Sequence, residues 1–176
     1  MEAGYENRKT VELRGKKMEK KEKDSYVGML LQTLQKQEET LREVLTVTKA
    51  QSKLADSDIF DEDRFQDTLN QKEILISRLN SLDDGFASVY GRVRNVIMQE
   101  KDNYRDEIRR MQELIKSCTD LGVEIKVLEE RNRDKLAKCF SQKHKTYGAR
   151  LTAATVASKY HQTMNSGQIS GSNYKL

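Results

Sequence analysis

The sequence predicts an all-α protein: an antiparallel three-helix coiled-coil bundle with a short, looser C-terminal helix and disordered ends. Three observations predict this fold. Apolar residues recur at steps of three and four along three long stretches, which places them on one face of a helix. Proline, the commonest helix breaker, is absent from the 176 residues. Only 36% of the residues are hydrophobic, which suits helices that bury one stripe rather than a broad α/β core.

The first helix is predicted over residues 24–55. Residues 1–23 are charged and lack apolar periodicity, so we expect them to be disordered. Asp24 or Ser25 can cap the helix by accepting backbone N–H groups of the first turn. Gln37 and Gln51 interrupt the apolar stripe, so we expect this helix to pack less densely than the other two.

The first turn, ADSDIFDED at residues 55–63, is rich in residues that favour turns and helix starts. Asp56 and Asp58 also resemble the start of a calcium-binding loop. However, that loop requires glycine at the position of Asp61 and glutamate at the position of Asp67. We therefore predict a helix cap here, with Ile59 or Phe60 packing beside the first apolar residue of the next helix.

The second helix, predicted over residues 60–99, carries the most regular stripe. Lys72 fills the one position that the stripe skips, and Gly85 lies in the middle. A helical glycine costs about 1 kcal/mol relative to alanine. Because the stripe stays in phase across Gly85, we predict one continuous helix. The stripe consists of Phe65, Leu69, Ile76, Leu79, Leu82, Phe86, Val89, Val93 and Ile97.

The third helix is predicted over residues 102–146, with Asp102 as its cap. Its stripe includes Asn132, and a polar residue in such a seam can fix the register of the helices. Cys118 and Cys139 lie on the same stripe, so we expect both to act as small buried hydrophobic residues.

The C-terminal segment, residues 147–176, is predicted to hold a weak amphipathic helix and a flexible tail. No Asp or Glu follows Cys139, so this region either binds an acidic partner, nucleic acid or anionic lipid, or only solubilises the chain. The third helix and its extension are expected to reach beyond the end of the first helix. The apolar face of that extension should therefore lack a partner within the chain. We predict that this face binds a client helix, although a second copy could cover it equally. The predicted client-binding residues are Leu136, Phe140, Leu151 and Val156.

Catalytic and metal-binding patterns are missing from the sequence. The two histidines, His144 and His161, have no cysteine or carboxylate at ligand spacing, and there is no glycine-rich phosphate loop or nucleophile elbow. We therefore expect no enzyme, no metal and no cofactor. No signal peptide or long apolar run is present, so we expect a cytoplasmic protein with reduced thiols and no membrane insertion.

Two segments also resemble a known family. They are KEILISRLNSLDDGFASVYGRV at residues 72–93 and YRDEIRRMQELIKSCTDLGVEIKVLEERN at residues 104–132. Both are similar to the flagellar FlgN-type export chaperones, in particular those of Gram-positive Clostridia, and the resemblance covers residues 26–132. The less generic residues of the match are Lys72, Asp83, Gly85, Phe86 and Tyr90.

The resemblance implies a cytosolic chaperone that binds hook–filament junction subunits and shields their C-terminal amphipathic helix before type III secretion. It also implies contacts with the flagellar export gate and the export ATPase. A C-terminal tyrosine serves gate docking in such proteins, and Tyr147 or Tyr160 could take that place.

Two other functions remain open at this point. A self-associating structural coiled coil would use the same apolar face for a second copy, so the protein is expected to be either a monomer or a homodimer. An adaptor could bind an acidic partner or nucleic acid through the basic tail. The tail lacks dense arginine clusters, so nucleic acid is the less favoured of these partners.

Overall fold

The computed structural model describes residues 18–146, with side chains described as far as Ser141. Within that range the chain forms three long helices: α1 (Lys20–Ala55), α2 (Glu62–Gln99) and α3 (Arg105–Thr146). A short 3-10 turn, Lys101–Tyr104, joins α2 to α3. No strand occurs between residues 18 and 146. The predicted all-α three-helix bundle is confirmed.

The helices run up, down and up. Lys23 at the start of α1 pairs with Glu100 at the end of α2, whereas Gln51 near the end of α1 bonds Thr68 near the start of α2. These two helices are therefore antiparallel. The third helix runs parallel to α1, because its N-terminal end meets the start of α1 and Lys135 reaches Ser52 at the other end.

Helix α1 is the central element of the bundle, since it packs closely along both α2 and α3. The backbones of α2 and α3 have few close approaches to each other. The expectation that α1 is packed less densely than its neighbours is therefore wrong. Gln37 and Gln51 are both buried, because they hydrogen-bond across to α2 instead of facing solvent.

The core is divided into three apolar clusters along the bundle. We call them the first, middle and last clusters, from the start of α1 to its end. The first contains Val27, Leu30, Leu34, Phe86, Val93, Ile97, Tyr104 and Met111. The middle contains Leu41, Val44, Leu45, Val47, Leu75, Leu79, Leu121 and Ile125. The last contains Phe60, Phe65, Leu69, Leu136 and Phe140.

The first helix starts earlier than predicted, at Lys20 rather than Asp24. Its extra turn is supported by Met18, which packs against the first cluster, and by the ion pair of Lys23 with Glu100 at 2.6 Å. Asp24 is not a cap. Its carboxylate accepts a hydrogen bond of 2.8 Å from the Tyr104 hydroxyl, so it connects α1 to the α2–α3 turn.

The predicted cap of α2 is confirmed in the turn between α1 and α2. The Asp61 side chain accepts a hydrogen bond of 3.0 Å from the backbone N–H of Arg64. Phe60 precedes this cap and packs on Phe65, with ring centroids 5.3 Å apart, which is the arrangement of a hydrophobic staple. Ile59, the other candidate, is 84% exposed. Helix α2 is continuous through Gly85, as the phase of its stripe predicts.

Candidate functional site: the groove between α2 and α3

Two of the predicted client-binding residues are already covered by the protein itself. Leu136 and Phe140 are 4% and 8% exposed, and both belong to the last cluster. The Phe140 ring meets the edge of Phe60 at a centroid distance of 5.4 Å. The expectation that this face lacks a partner is therefore wrong for Leu136 and Phe140.

The covering residue is Phe60, in the turn between α1 and α2. The predicted lengths of the three helices leave no helix opposite the end of α3. In the structure the turn itself folds over that end, and Phe60 packs between Phe65 and Phe140. The other predicted site residues, Leu151, Val156, Tyr147 and Tyr160, lie outside the described residues.

A groove lies at the opposite end of the bundle, where α2 ends and α3 begins. Its volume is about 410 Å³. Since α1 packs on one side of the α2–α3 pair and the two backbones stay apart, a space between them remains open to solvent. We call it the α2–α3 groove. It is lined by Tyr90, Arg94, Ile97, Met98, Lys101, Asp102, Arg105, Ile108, Arg109 and Gln112.

The floor of the α2–α3 groove is apolar. Ile97 is buried in the first cluster, and Tyr90 and Ile108 are half-buried against the same cluster. Tyr90 is fixed further by stacking on Phe86, with ring centroids 5.8 Å apart. Met98 is 49% exposed at the edge of this floor. An exposed methionine beside half-buried apolar side chains is typical of adaptable binding surfaces.

The rim of the groove is basic. Arg94, Lys101, Arg105 and Arg109 are all exposed, and Asp102 is the single acidic residue of the lining. Arg109 forms an ion pair of 3.5 Å with Asp106 on its own helix, but both side chains are largely exposed. Such an exposed pair contributes little to stability, so Arg109 can readily leave Asp106 for another carboxylate. The rim therefore favours a negatively charged ligand.

The turn that closes the groove is held by α1. Lys23 pairs with Glu100 just before the 3-10 turn, and Tyr104 at the end of that turn bonds Asp24. Tyr104 is buried, and burial together with the Asp24 carboxylate raises the pKa of its phenol to about 12. These contacts fix the relative positions of the two helix ends that line the groove.

A buried polar layer separates the middle and last clusters. Lys72 on α2 forms an ion pair with Glu129 on α3 and also donates to the side-chain carbonyl of Gln51. Both charged side chains are 4% exposed. Burial lowers the pKa of Lys72, and the charge and hydrogen bond of Glu129 oppose that shift.

Thr48 and Asn132 complete this polar layer. The Thr48 hydroxyl lies 2.8 Å from the Val44 carbonyl and 3.1 Å from Glu129. Because it has one proton, it donates a hydrogen bond to one of these acceptors at a time. Asn132 donates to the backbone carbonyl of Thr48 at 3.0 Å. Its own Oδ1 is buried without a hydrogen-bond partner among the described residues. An unpaired buried oxygen opposes folding, which is consistent with a role in selecting the register.

A second polar layer separates the first and middle clusters. Gln37 on α1 donates to Asp83 on α2 at 2.6 Å, and burial raises the pKa of Asp83. Cys118 on α3 lies beside this pair. Its burial, with the nearby charges of Glu38 and Asp83, raises the pKa of its thiol to about 11. A thiol with such a pKa is largely unreactive at neutral pH. Both Cys118 and Cys139 are half-buried rather than fully buried.

Two further properties of the described residues bear on the site. Among the side chains described between residues 18 and 141, no three from His, Cys, Asp or Glu lie close enough together to hold a metal ion. None of the helices between residues 18 and 146 combines the length and the apolar composition that crossing a membrane requires.

Comparison of the chain with protein-family models, with curated proteins and with solved structures finds no match.

The α2–α3 groove was not predicted from the sequence, although the spacing of its lining residues carries a signal. Residues 90, 94 and 98 follow one another at steps of four on α2, and residues 101, 105 and 109 do so across the second turn. Side chains four apart lie on the same face of a helix. The two rows of residues meet at the turn between antiparallel helices. Together they indicate a surface with both apolar and basic side chains at that end of the bundle.

Proposed function

We propose that this protein is a chaperone or adaptor that binds an amphipathic helix of a partner protein in the α2–α3 groove. The observation that carries the proposal is the open apolar floor of the groove, where Tyr90 and Ile108 are half-buried and Met98 is exposed at the edge. A helix that enters such a groove buries its apolar face against the floor, as in other helix-in-groove complexes.

The sequence resemblance supports a particular partner class. We propose hook–filament junction subunits of the flagellum, whose C-terminal helix would be shielded before secretion. Such a function requires no covalent step: covering the apolar face of the client prevents its early assembly. Leu151 and Val156 in the C-terminal segment remain proposed second contacts with the client, and Tyr147 or Tyr160 a proposed contact with the export gate.

Co-expression of the full chain with a junction subunit tests this proposal. Met98→Asp places a charge in the groove, and Ile74→Asp places one on the same helix at a position that is 64% exposed and outside the groove. Both positions are exposed enough that the bundle should fold in either variant. We expect Met98→Asp to abolish co-purification of the junction subunit and Ile74→Asp to retain it.

Leu151→Asp and Val156→Asp, made in the full chain, test the C-terminal segment separately. Loss of the client in these variants together with retention in Met98→Asp would move the site from the groove to that segment. Failure of the unsubstituted chain to retain any junction subunit would refute the flagellar assignment.

A further inference from the structure

We infer that the partner helix held in the α2–α3 groove is acidic, with its carboxylates paired to Arg94, Arg105 and Arg109. This inference rests on the proposed function, because it names the chemistry of the helix that the groove would bind. It depends on the charge of the rim, whereas the proposal of helix binding depends on the apolar floor.

The charge of the lining is strongly one-sided. Four of its side chains are cationic and only Asp102 is acidic. Arg94, Lys101 and Arg105 have no ion-pair partner among the described residues, and all three are exposed. Uncompensated arginines around a partly apolar surface favour carboxylates, which they can bind through two parallel hydrogen bonds.

The distribution of these cations fits a row of carboxylates better than one compact anion. Arg94 lies on α2, Lys101 in the 3-10 turn and Arg105 on α3, so the cations surround the groove rather than converge on one point. The apolar floor between them would be of no use to a free inorganic anion. An amphipathic helix with acidic residues beside its apolar stripe satisfies both parts of the surface.

The length of the groove sets the length of the contact. Tyr90 to Met98 rises about 12 Å along α2, which corresponds to about two turns of a partner helix. Such a contact accommodates anchors at positions i, i+3 or i+4, and i+7.

Neither end of this chain has the required charge. No acidic residue follows Cys139, and residues 1–17 carry more basic than acidic side chains. A basic segment would be repelled by the arginine rim, so charge favours a separate, acidic partner.

Three synthetic amphipathic helices of about five turns test the inference; they share one leucine face and differ only in carrying Glu, Gln or Lys on the polar face. Binding to the full-length protein is measured by fluorescence anisotropy at low and high salt. We expect the Glu helix to bind about tenfold more tightly than the Gln helix, the Lys helix to bind weakest, and the difference to shrink at high salt.

A charge-reversed variant, Arg94→Glu with Arg105→Glu, should bind the Lys helix better than the Glu helix. The matched control is Arg92→Glu with Arg110→Glu, which changes the same residue types on the same two helices at exposed positions outside the groove. This control should behave as the unsubstituted protein does. Circular dichroism establishes that both double variants remain helical.

Each alternative outcome overturns a defined part of the account. Equal binding of the Glu and Gln helices overturns the acidic partner and leaves helix binding intact. Failure of all three helices to bind overturns both. An oligothymidylate that binds more tightly than the Glu helix and is lost in the charge-reversed variant identifies nucleic acid as the ligand instead. Self-association that is lost in that variant alone identifies a second copy of the chain.

Discussion

Lys72 on α2 and Glu129 on α3 form an ion pair in the interior of the bundle, where both side chains are 4% exposed. The pair spans the two helices whose backbones approach each other least, and Gln51 of α1 joins it through the Lys72 ammonium. It therefore connects all three helices at one level. Because this layer is polar, a shift of one helix along another would leave charges buried against apolar side chains.

Removing one partner of this pair should destabilise the protein strongly. In Glu129→Leu the Lys72 ammonium stays buried without its countercharge, so we expect the free energy of unfolding to fall by about 3–5 kcal/mol. Urea denaturation followed by circular dichroism measures the change. The double variant Lys72→Met with Glu129→Leu should recover most of the loss, since no charge is then buried. A double variant no more stable than Glu129→Leu would contradict this account of the layer.

Phe140 should behave as a core residue. We expect Phe140→Ala to lower the free energy of unfolding by about 3–5 kcal/mol, because the ring is buried against Phe60 and Phe65 and its removal leaves a cavity. Ile59→Ala is the control, since Ile59 is 84% exposed. It should change stability by less than about 0.5 kcal/mol. A Phe140→Ala protein as stable as the control would restore this residue as a candidate binding surface.

Gly85 offers a stabilising substitution. A Cβ atom added there meets nothing within 4 Å, and the same holds at Gly91 on the same helix. We therefore expect Gly85→Ala to raise the free energy of unfolding by about 0.5–1 kcal/mol, through higher helix propensity and a less flexible unfolded chain. Gly91→Ala should produce a similar gain, measured by the same urea titrations. A loss of stability in both would show that α2 is not a regular helix at these positions.

Tyr104 should make stability sensitive to alkaline pH. Its pKa in the folded protein is about 12, above the ordinary value of 10.0, so the unfolded chain loses this proton first. The resulting stabilisation is complete below pH 10 and is lost as the pH rises through about 12. We expect Tyr104→Phe to show a smaller decline of unfolding free energy over that interval.

Tyr26→Phe serves as the control for the alkaline titration, and it should retain the full decline. Cys118 also has a raised pKa, of about 11, but it is present in both variants and cancels in the comparison. Equal declines in Tyr104→Phe and Tyr26→Phe would show that Tyr104 is not buried beside Asp24 in solution, because burial is the main cause of its raised pKa.

The three helices could be predicted because each long stretch lacks proline and keeps its apolar residues on one face of the helix along its whole length. It also marked where the polar layers lie: Gln37, Gln51, Lys72 and Asn132 each interrupt a stripe. Which interruptions meet could not be predicted, because this depends on the relative shift of the helices. Only the structure places Gln51, Lys72 and Asn132 at one level and Gln37 at another.

The candidate binding surface was harder to predict. The apolar pattern at Leu136 and Phe140 is the same for a core helix and for a binding helix, so the pattern alone does not reveal that Phe60 covers them. The α2–α3 groove could not be predicted for a different reason. Its lining comes from two helices and a turn, and the separation of α2 from α3 is a property of the packing rather than of either stripe.

A fluorescent probe placed in the groove tests the central claim most directly. The probe is attached to a cysteine at position 98, or at position 74 as the control, in a full-length chain whose Cys118 and Cys139 are replaced by alanine. If the α2–α3 groove binds an acidic amphipathic helix, adding the Glu-faced helix shifts the emission of the probe at position 98 and leaves that at position 74 unchanged. A shift at position 74 alone, or at neither position while the helix binds, would contradict the claim.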